Sequence, residues 1–260
     1  MEFLRTCLIV CPLIFLATFI DSVAGGGGLI SIPAYLLAGL PTHRALGTNK
    51  FVNGVGTGFA AWQYFRGGKI KLKIAAITAV MALVGSSFGT MLALHIAEDT
   101  LKKLLLAILP AVALFLSFRK DFGEKPLEKE LSREKTFLYA GLIGFVIGGY
   151  DGLFGPGTGT FMIMAFTGLL GLDLLTASGS AKLGNLASNV ASAVVYIANG
   201  EIDWLLCIPA LCCSLLGAGL GARFAMKGGA KRVRWMIFVV LGILFIKVAY
   251  ELIAAKGGSL

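Results

Sequence analysis

The chain has 260 residues, of which 57% are hydrophobic and 14% charged. A soluble domain carries about 25% charged residues, and the uncharged stretches here approach or exceed the roughly 18 residues of a membrane-spanning helix. A soluble fold is therefore excluded, and the formal charge of +9, carried by Lys and Arg beside apolar spans, reads as membrane topology and not as a nucleic-acid-binding face.

The first apolar segment covers about 3–20 and ends at Asp21. It has the look of a signal peptide, but the stretch from Thr6 to Asp21 lines up with Thr136 to Asp151, so it is expected to stay as part of a repeated unit. Further segments are expected at about 29–40, 45–65, 74–94 and 101–118. A stretch dense in mixed charge, 119–135, then reads as a solvated linker. Five more segments follow, at about 136–150, 159–172, 181–198, 204–223 and 235–254. The expected domains are a first transmembrane repeat over 1–118, the linker, and a second transmembrane repeat over 136–260.

The duplication is visible in motifs. Asp21-Ser22-Val23-Ala24-Gly25-Gly26-Gly27-Gly28 is echoed by Asp151-Gly152-Leu153-Phe154-Gly155-Pro156-Gly157-Thr158-Gly159. Gly47-Thr48-Asn49-Lys50-x-x-Asn53 is echoed by Gly179-Ser180-Ala181-Lys182-x-x-Asn185, and Gly85-x-x-x-Gly89 by Gly217-x-x-x-Gly221. Each unit is too long for a solenoid repeat. The short segments at 29–40 and 159–172 follow the Gly-rich breaks. Twelve helical residues span only about 18 Å of a roughly 30 Å hydrocarbon core. Short interrupted segments at matching places in two halves are the mark of broken or re-entrant helices around a midplane site.

Charge sets an expected orientation. The loop carrying Arg66, Lys69, Lys71 and Lys73 is matched in the second copy by Glu201 and Asp203. One loop later the bias reverses: His95, Glu98 and Asp99 face Arg223, Lys227, Lys231, Arg232 and Arg234. Basic loops face the cytoplasm, so the copies are expected to insert in opposite directions. The 66–73 loop, the 119–135 linker and the 223–234 loop then lie inside. The fold class is an all-α polytopic membrane protein of two inverted-topology repeats, with about eight to ten hydrophobic segments.

Three groups of residues are candidates for function. The breaks Gly25, Gly26, Gly27, Gly28 and Gly155, Gly157, Thr158, Gly159 open helices whose first N–H groups favour an anion; close helix packing by small residues is the competing reading. Lys50, Asn53 and Thr57 share one helical face, as do Lys182, Asn185 and Asn189, with Asn49, Thr48 and Ser180 nearby. A lysine inside a membrane segment is costly unless paired, wet or near an interface. Here it either attracts an anion, whose oxygens the amides also bond, or snorkels to headgroups. Asp21 and Asp151 fit three roles: pairing with Lys50 and Lys182, carrying a coupling proton, or capping the broken helices.

Elsewhere the chain is bland. Cys7, Cys11, Cys207, Cys212 and Cys213 read as small buried hydrophobes without metal-ligand spacing. His43 and His95 belong to no ligand motif, and no P-loop, H-E-x-x-H or G-x-S-x-G occurs. No metal, cofactor or catalytic residue is expected. Trp62, Tyr64, Trp204 and Trp235 are expected in aromatic belts.

The two Asp–Gly-rich motifs, with Leu29-Ile30-Ser31-Ile32-Pro33 and Ala45-x-Gly47-Thr48-Asn49-Lys50, resemble the TauE/SafE family over nearly the whole chain outside the linker. That family comprises sulfite/organosulfonate exporters and 4-toluene sulfonate uptake permeases. The resemblance implies a secondary transporter of sulfite, or of sulfonates such as sulfoacetate, in the bacterial inner membrane; the two inverted units make alternating access the expected mechanism. Ala181 departs from the pattern where the first copy has Asn49, so the implied site is asymmetric. The alternatives are an anion channel, a transporter of a non-sulfur anion and, less favoured, a membrane-embedded enzyme. The expected partners are the small anionic substrate and the lipid bilayer, with proton or sodium coupling and a homo-oligomer left open; nucleic acid is not expected.

Overall fold

The computed structural model describes residues 2–117 and 131–257. Among them the structure is helical throughout: α1 (Glu2–Ala24), α2 (Gly28–Leu37), α3 (Thr42–Arg66), α4 (Leu72–His95), α5 (Glu98–Ser117), α6 (Arg133–Leu153), α7 (Thr158–Leu170), α8 (Leu174–Ala198) and α9 (Trp204–Gly257). Four helices, over Phe3–Ala24, Leu72–His95, Arg133–Leu153 and Trp204–Val233, are long and apolar enough to cross a membrane. The protein is a multi-pass membrane protein. Most of the linker expected over 119–135 lies outside the described residues.

Several helices start earlier than the apolar pattern alone indicates, because caps set their starts. The Asp173 carboxylate accepts the Thr176 N–H at 3.0 Å and begins α8 at Leu174. The Ser132 hydroxyl accepts the Lys135 N–H and draws Arg133–Lys135, expected in the linker, into α6. α3 begins after Pro41, and its first N–H groups, from Thr42 and His43, donate to Glu98 of α5 at 2.8 and 3.2 Å. The basic stretch 223–234, expected as a loop, is instead helical within α9 and broken only at Gly229, whose φ of 60° and ψ of −156° suit a residue without a Cβ. Lys and Arg are good helix formers, so charge density by itself does not end a helix.

The long helices pack through small residues. A Cβ on Gly85 or Gly89 of α4 would lie 2.2 or 2.1 Å from the carbonyl oxygens of Phe145 and Gly149 on α6. Gly217 and Gly221 of α9 meet the carbonyls of Phe15 and Phe19 on α1 in the same way, at 2.3 Å each. Dispersion contact between closely approaching backbones holds such seams in lipid, where burial of apolar surface contributes little. Between the two seams, α3 and α8 run against each other. Each has 25 residues and a polar face, and each is enclosed by its neighbours.

The contacts between halves come in exchanged pairs. Gly47 abuts the Glu201 carbonyl beside Tyr196, and Gly179 abuts the Lys69 carbonyl beside Tyr64. Thr48 Oγ1 accepts the Asp203 N–H at 3.0 Å, and Ser180 Oγ accepts the Lys71 N–H at 3.0 Å. Two apolar clusters result, one holding Met162 and Phe166 of α7, the other Ile32 and Tyr35 of α2. The starts of those two short helices meet each other. Trp62, Trp204 and Trp235 are about half exposed, as expected of belt residues, whereas Tyr64 is fully buried. Its hydroxyl donates to the Ser22 carbonyl at 2.9 Å and lies 3.3 Å from Ser178 Oγ, which corrects its belt assignment: a bonded hydroxyl lets the ring sit in the interior.

Candidate functional site

The Gly-rich breaks pack against each other. α1 is followed by Gly25 and Gly26 with φ of 75° and 86°, and α6 by Gly155 and Gly157 with φ of 91° and 81°. These left-handed values turn the chain sharply enough for α2 and α7 to begin at once. A Cβ on Gly25 would lie 2.2 Å from the Thr160 nitrogen and 2.3 Å from the Gly159 carbonyl carbon. Gly28 in turn sits on Gly155 and Pro156. Close packing and a helix-start cradle thus occur together: the missing side chains let two helix N-termini approach one point.

A small cavity of about 20 Å³ sits at that point, room for about one water molecule. Of the sequence-derived candidates, Asp21, Gly26, Gly28, Asn49, Lys50 and Asn53 line it from the first half. Asp151, Gly155, Gly157, Thr158, Gly159, Asn185 and Asn189 line it from the second. Gly25 and Gly27 do not line it; Gly25 packs on Gly159 and Thr160, and Gly27 on Ala17 and Asp21. Thr48 and Ser180 stand apart, because their hydroxyls hold the backbones of the 199–203 and 67–71 turns. Lys182 does not line the cavity itself and reaches it through Asp21.

Both lysines are sealed in the interior, at 2% and 0% side-chain exposure, so neither snorkels. Each pairs with the carboxylate of the other half. Lys50 Nζ lies 2.7 Å from Asp151 Oδ2 and also donates to the Asp151 carbonyl. Lys182 Nζ lies 2.9 Å from Asp21 Oδ2 and also donates to the Asp21 carbonyl. Buried charges persist when paired and hydrogen-bonded, and the crossing of pairs ties the two halves together. Asp21 takes a second role, since its Oδ1 accepts the Gly27 N–H at the start of α2 at 3.3 Å.

The amides differ between halves. Asn53 Nδ2 donates to Asn49 Oδ1 at 3.0 Å. With Ala181 in place of an Asn, the second-half bond moves one turn along, and Asn189 Nδ2 donates to Asn185 Oδ1 at 3.1 Å. Asn53 Oδ1 is buried without a partner.

Some polar residues of the interior escaped the sequence reading. Ser188 donates to Asp151 Oδ2; its position three residues after Asn185, on the same helical face, was the available signal. Ser86 of α4 donates to the Ser188 carbonyl, and its hydroxyl lies 2.7 Å from that of Ser192, to which Thr90 also donates. The available signal for Ser86 and Thr90 was their place on the small-residue stripe of Ala82, Gly85, Gly89 and Ala93, at helical spacing. Among the described residues, no group of three or more His, Cys, Asp or Glu is placed to hold a metal ion.

The family profile described as "Sulfite exporter TauE/SafE" matches residues 10–248. A "Probable membrane transporter protein ORF9" from Sinorhizobium sp is 38% identical over 87% of this chain and 85% of its own length. A "Probable membrane transporter protein" of Haemophilus influenzae is 37% identical, covering 91% and 92% of the two chains. The "Probable membrane transporter protein YfcA" of Escherichia coli is 32% identical, covering 96% and 95%. No solved structure matches the chain.

Proposed function

The chain belongs to the sulfite exporter TauE/SafE family, and from that premise we propose that it is a secondary transporter of small sulfur-containing anions, sulfite or short sulfonates, across the bacterial inner membrane. The observation that carries the reading is the pair of sealed lysines, each held by a carboxylate, around a cavity on which two helix starts converge. Lysine ammonium groups and helix N–H groups are the donors an oxyanion needs. The amides of Asn49, Asn53, Asn185 and Asn189 add donors around the rim.

A cavity of about 20 Å³ is too small for a sulfonate, which has several times the volume of the one water it admits. Binding therefore requires the surrounding helices to part. Alternating access by rocking of the two halves supplies that motion. The exchanged contacts between halves and the opposed charge of matching loops support inverted insertion, with the 119–135 linker on the cytoplasmic side. The gating contacts in this reading are those of Thr48 and Ser180 with the loops of the opposite half.

The test is uptake of labelled sulfite and of a short organosulfonate into proteoliposomes under an imposed proton gradient. Accumulation above equilibrium is expected, and Lys182→Ala or Lys50→Ala should reduce it at least tenfold in protein that still inserts and elutes as a single species. Wild-type flux in both variants refutes the site; flux that never exceeds equilibrium makes the protein a channel.

A further inference from the structure

In the closed site both lysines are already neutralised, and an arriving anion has to compete with a carboxylate for them. The competition is direct at Asp21. Its Oδ2 holds Lys182 Nζ and its Oδ1 holds the Gly27 N–H at the start of α2. Those are the two kinds of donor that a sulfonate or sulfite oxygen requires at this site. Asp21 thus occupies the place of a substrate oxyanion, on a wall of the cavity.

Building on the anion site above, we propose that Asp21 is the coupling carboxylate, and that one proton on it travels with each anion. The balance is simple. A proton from the aqueous compartment that the site faces adds to the Asp21 carboxylate. The neutral acid releases Lys182 Nζ and the Gly27 N–H, and the anion takes both. On the far side the anion leaves, the proton leaves, and the carboxylate recaptures Lys182. No covalent bond other than O–H changes. Lys182 stays an ammonium and stays in place throughout, because the Asp21 backbone carbonyl holds Nζ independently of the carboxyl group.

The charge balance favours this step over the alternatives. With the site empty, Lys50 and Lys182 are matched by Asp21 and Asp151. With a monovalent anion and a proton bound, the two ammonium charges are matched by Asp151 and the anion. The core is neutral in both states, so neither crossing carries a net charge through the low-dielectric interior. Binding the anion without a proton would leave one buried negative charge uncompensated.

Asp21 and not Asp151 is suited to the role by its surroundings. Asp21 keeps 14% side-chain exposure, against 3% for Asp151. The Ser188 hydroxyl and Lys50 Nζ both hold the same Asp151 oxygen, one from α8 and one from α3. Around Asp21, α8 contributes Lys182, and α3 contributes Lys50, on the same cavity, and Tyr64, whose hydroxyl donates to the carbonyl of the adjacent Ser22. α6 contributes Asp151 across the cavity. α2 and α7 bring backbone to it at Gly27 and Gly159. α9 packs against α1 through Gly217 and Gly221 at Phe15, Phe19 and Ser22.

The experiment is proton uptake on binding, read with a pH-indicator dye in weakly buffered detergent solution. The probe is isethionate, a strong-acid sulfonate that does not itself titrate near neutrality. Purified wild-type chain should take up about one proton per anion bound, with affinity weakening up to about tenfold per pH unit on the alkaline side. Asp21→Asn retains the acceptor for Gly27 and should bind isethionate with no proton uptake. In proteoliposomes it should exchange anion but not accumulate it on a proton gradient. Wild-type binding without proton uptake, or gradient-driven accumulation by Asp21→Asn, overturns the coupling and leaves the anion site standing. A wild-type chain that binds neither isethionate nor sulfite overturns both.

Discussion

Lys50 meets Asp151 with both side chains sealed, at 2% and 3% exposure, whereas Lys182, equally sealed, meets an Asp21 that keeps 14%. The neighbouring helices differ as well, at matching positions. Six residues after Lys182 stands Ser188, whose hydroxyl bonds Asp151; six residues after Lys50 stands Gly56. Gly56 packs on α9: a Cβ there would lie 2.3 Å from Ser214 Oγ, which itself donates to the Val52 carbonyl. One duplicated lysine–carboxylate unit has therefore become two unlike ones, a locked pair and a looser pair. Duplication supplies the geometry, and the second donor then differs: a hydroxyl from α8 at Asp151, and the Gly27 N–H, at 3.3 Å, at Asp21.

The largest effect should come from breaking the locked pair. Asp151→Ala leaves the Lys50 ammonium buried without a counter-charge, and loss of one partner of a buried pair costs about 3–5 kcal/mol. Thermal unfolding in detergent should show a clearly greater loss for Asp151→Ala than for Asp21→Ala, where water reaches the site. Equal losses would erase the distinction between the pairs. Next in size is Ser188→Ala. It removes one hydrogen bond to a charged group, worth roughly 1.5–3 kcal/mol, and should make the locked Lys50–Asp151 pair resemble the looser Lys182–Asp21 pair. If its unfolding midpoint matches wild type, Ser188 is not what locks Asp151.

The same contrast of halves recurs at the starts of α3 and α8. The α8 start is capped locally by Asp173, while the α3 start borrows Glu98 from α5. Asp173→Ala should cost about 1 kcal/mol, the usual worth of an N-cap. Glu98 and Asp173 also make a pH prediction. Burial by itself would raise the Glu98 carboxyl, but the N–H groups of Thr42 and His43 and the His43 ring outweigh it and hold it below its ordinary value. Asp173 behaves alike: burial would raise it, and the bonds from Thr176 and Leu175, with Lys69 nearby, lower it. A folded-state value below the unfolded one stabilises the fold above the ordinary carboxylate range. That contribution is lost as pH falls through the lowered value. Glu98→Gln should therefore flatten part of the acid-side loss of thermal stability, the smallest of these effects because Glu98 is 45% exposed. A variant with an unchanged acid profile would show that the α3 cap contributes nothing to it.

Much of the architecture was legible in the residues. Long uncharged stretches make transmembrane helices because lipid leaves backbone groups no partner but their own helix. Asp21-to-Gly28 and Asp151-to-Gly159 announce helix breaks because only Gly turns the chain that way at no steric cost. The spacing of Lys50 and Asn53, and of Lys182, Asn185 and Asn189, puts each set on one face. Periodicity missed the start of α8 by seven residues, since Leu174–Ser180 owes its helix to the Asp173 cap and not to an apolar stripe.

The sequence by itself determined the membrane class, the duplication, the two breaks and the polar faces, because these are properties of one segment and its period. Only the tertiary structure decided that Asp21 pairs with Lys182 and Asp151 with Lys50, partners 161 and 101 residues apart. Two copies of one motif offer each carboxylate two equivalent lysines, and no local pattern distinguishes them. The choice falls to the packing of Gly25 on Gly159 and of α3 on α8, which brings each helix break of one half onto the lysine of the other.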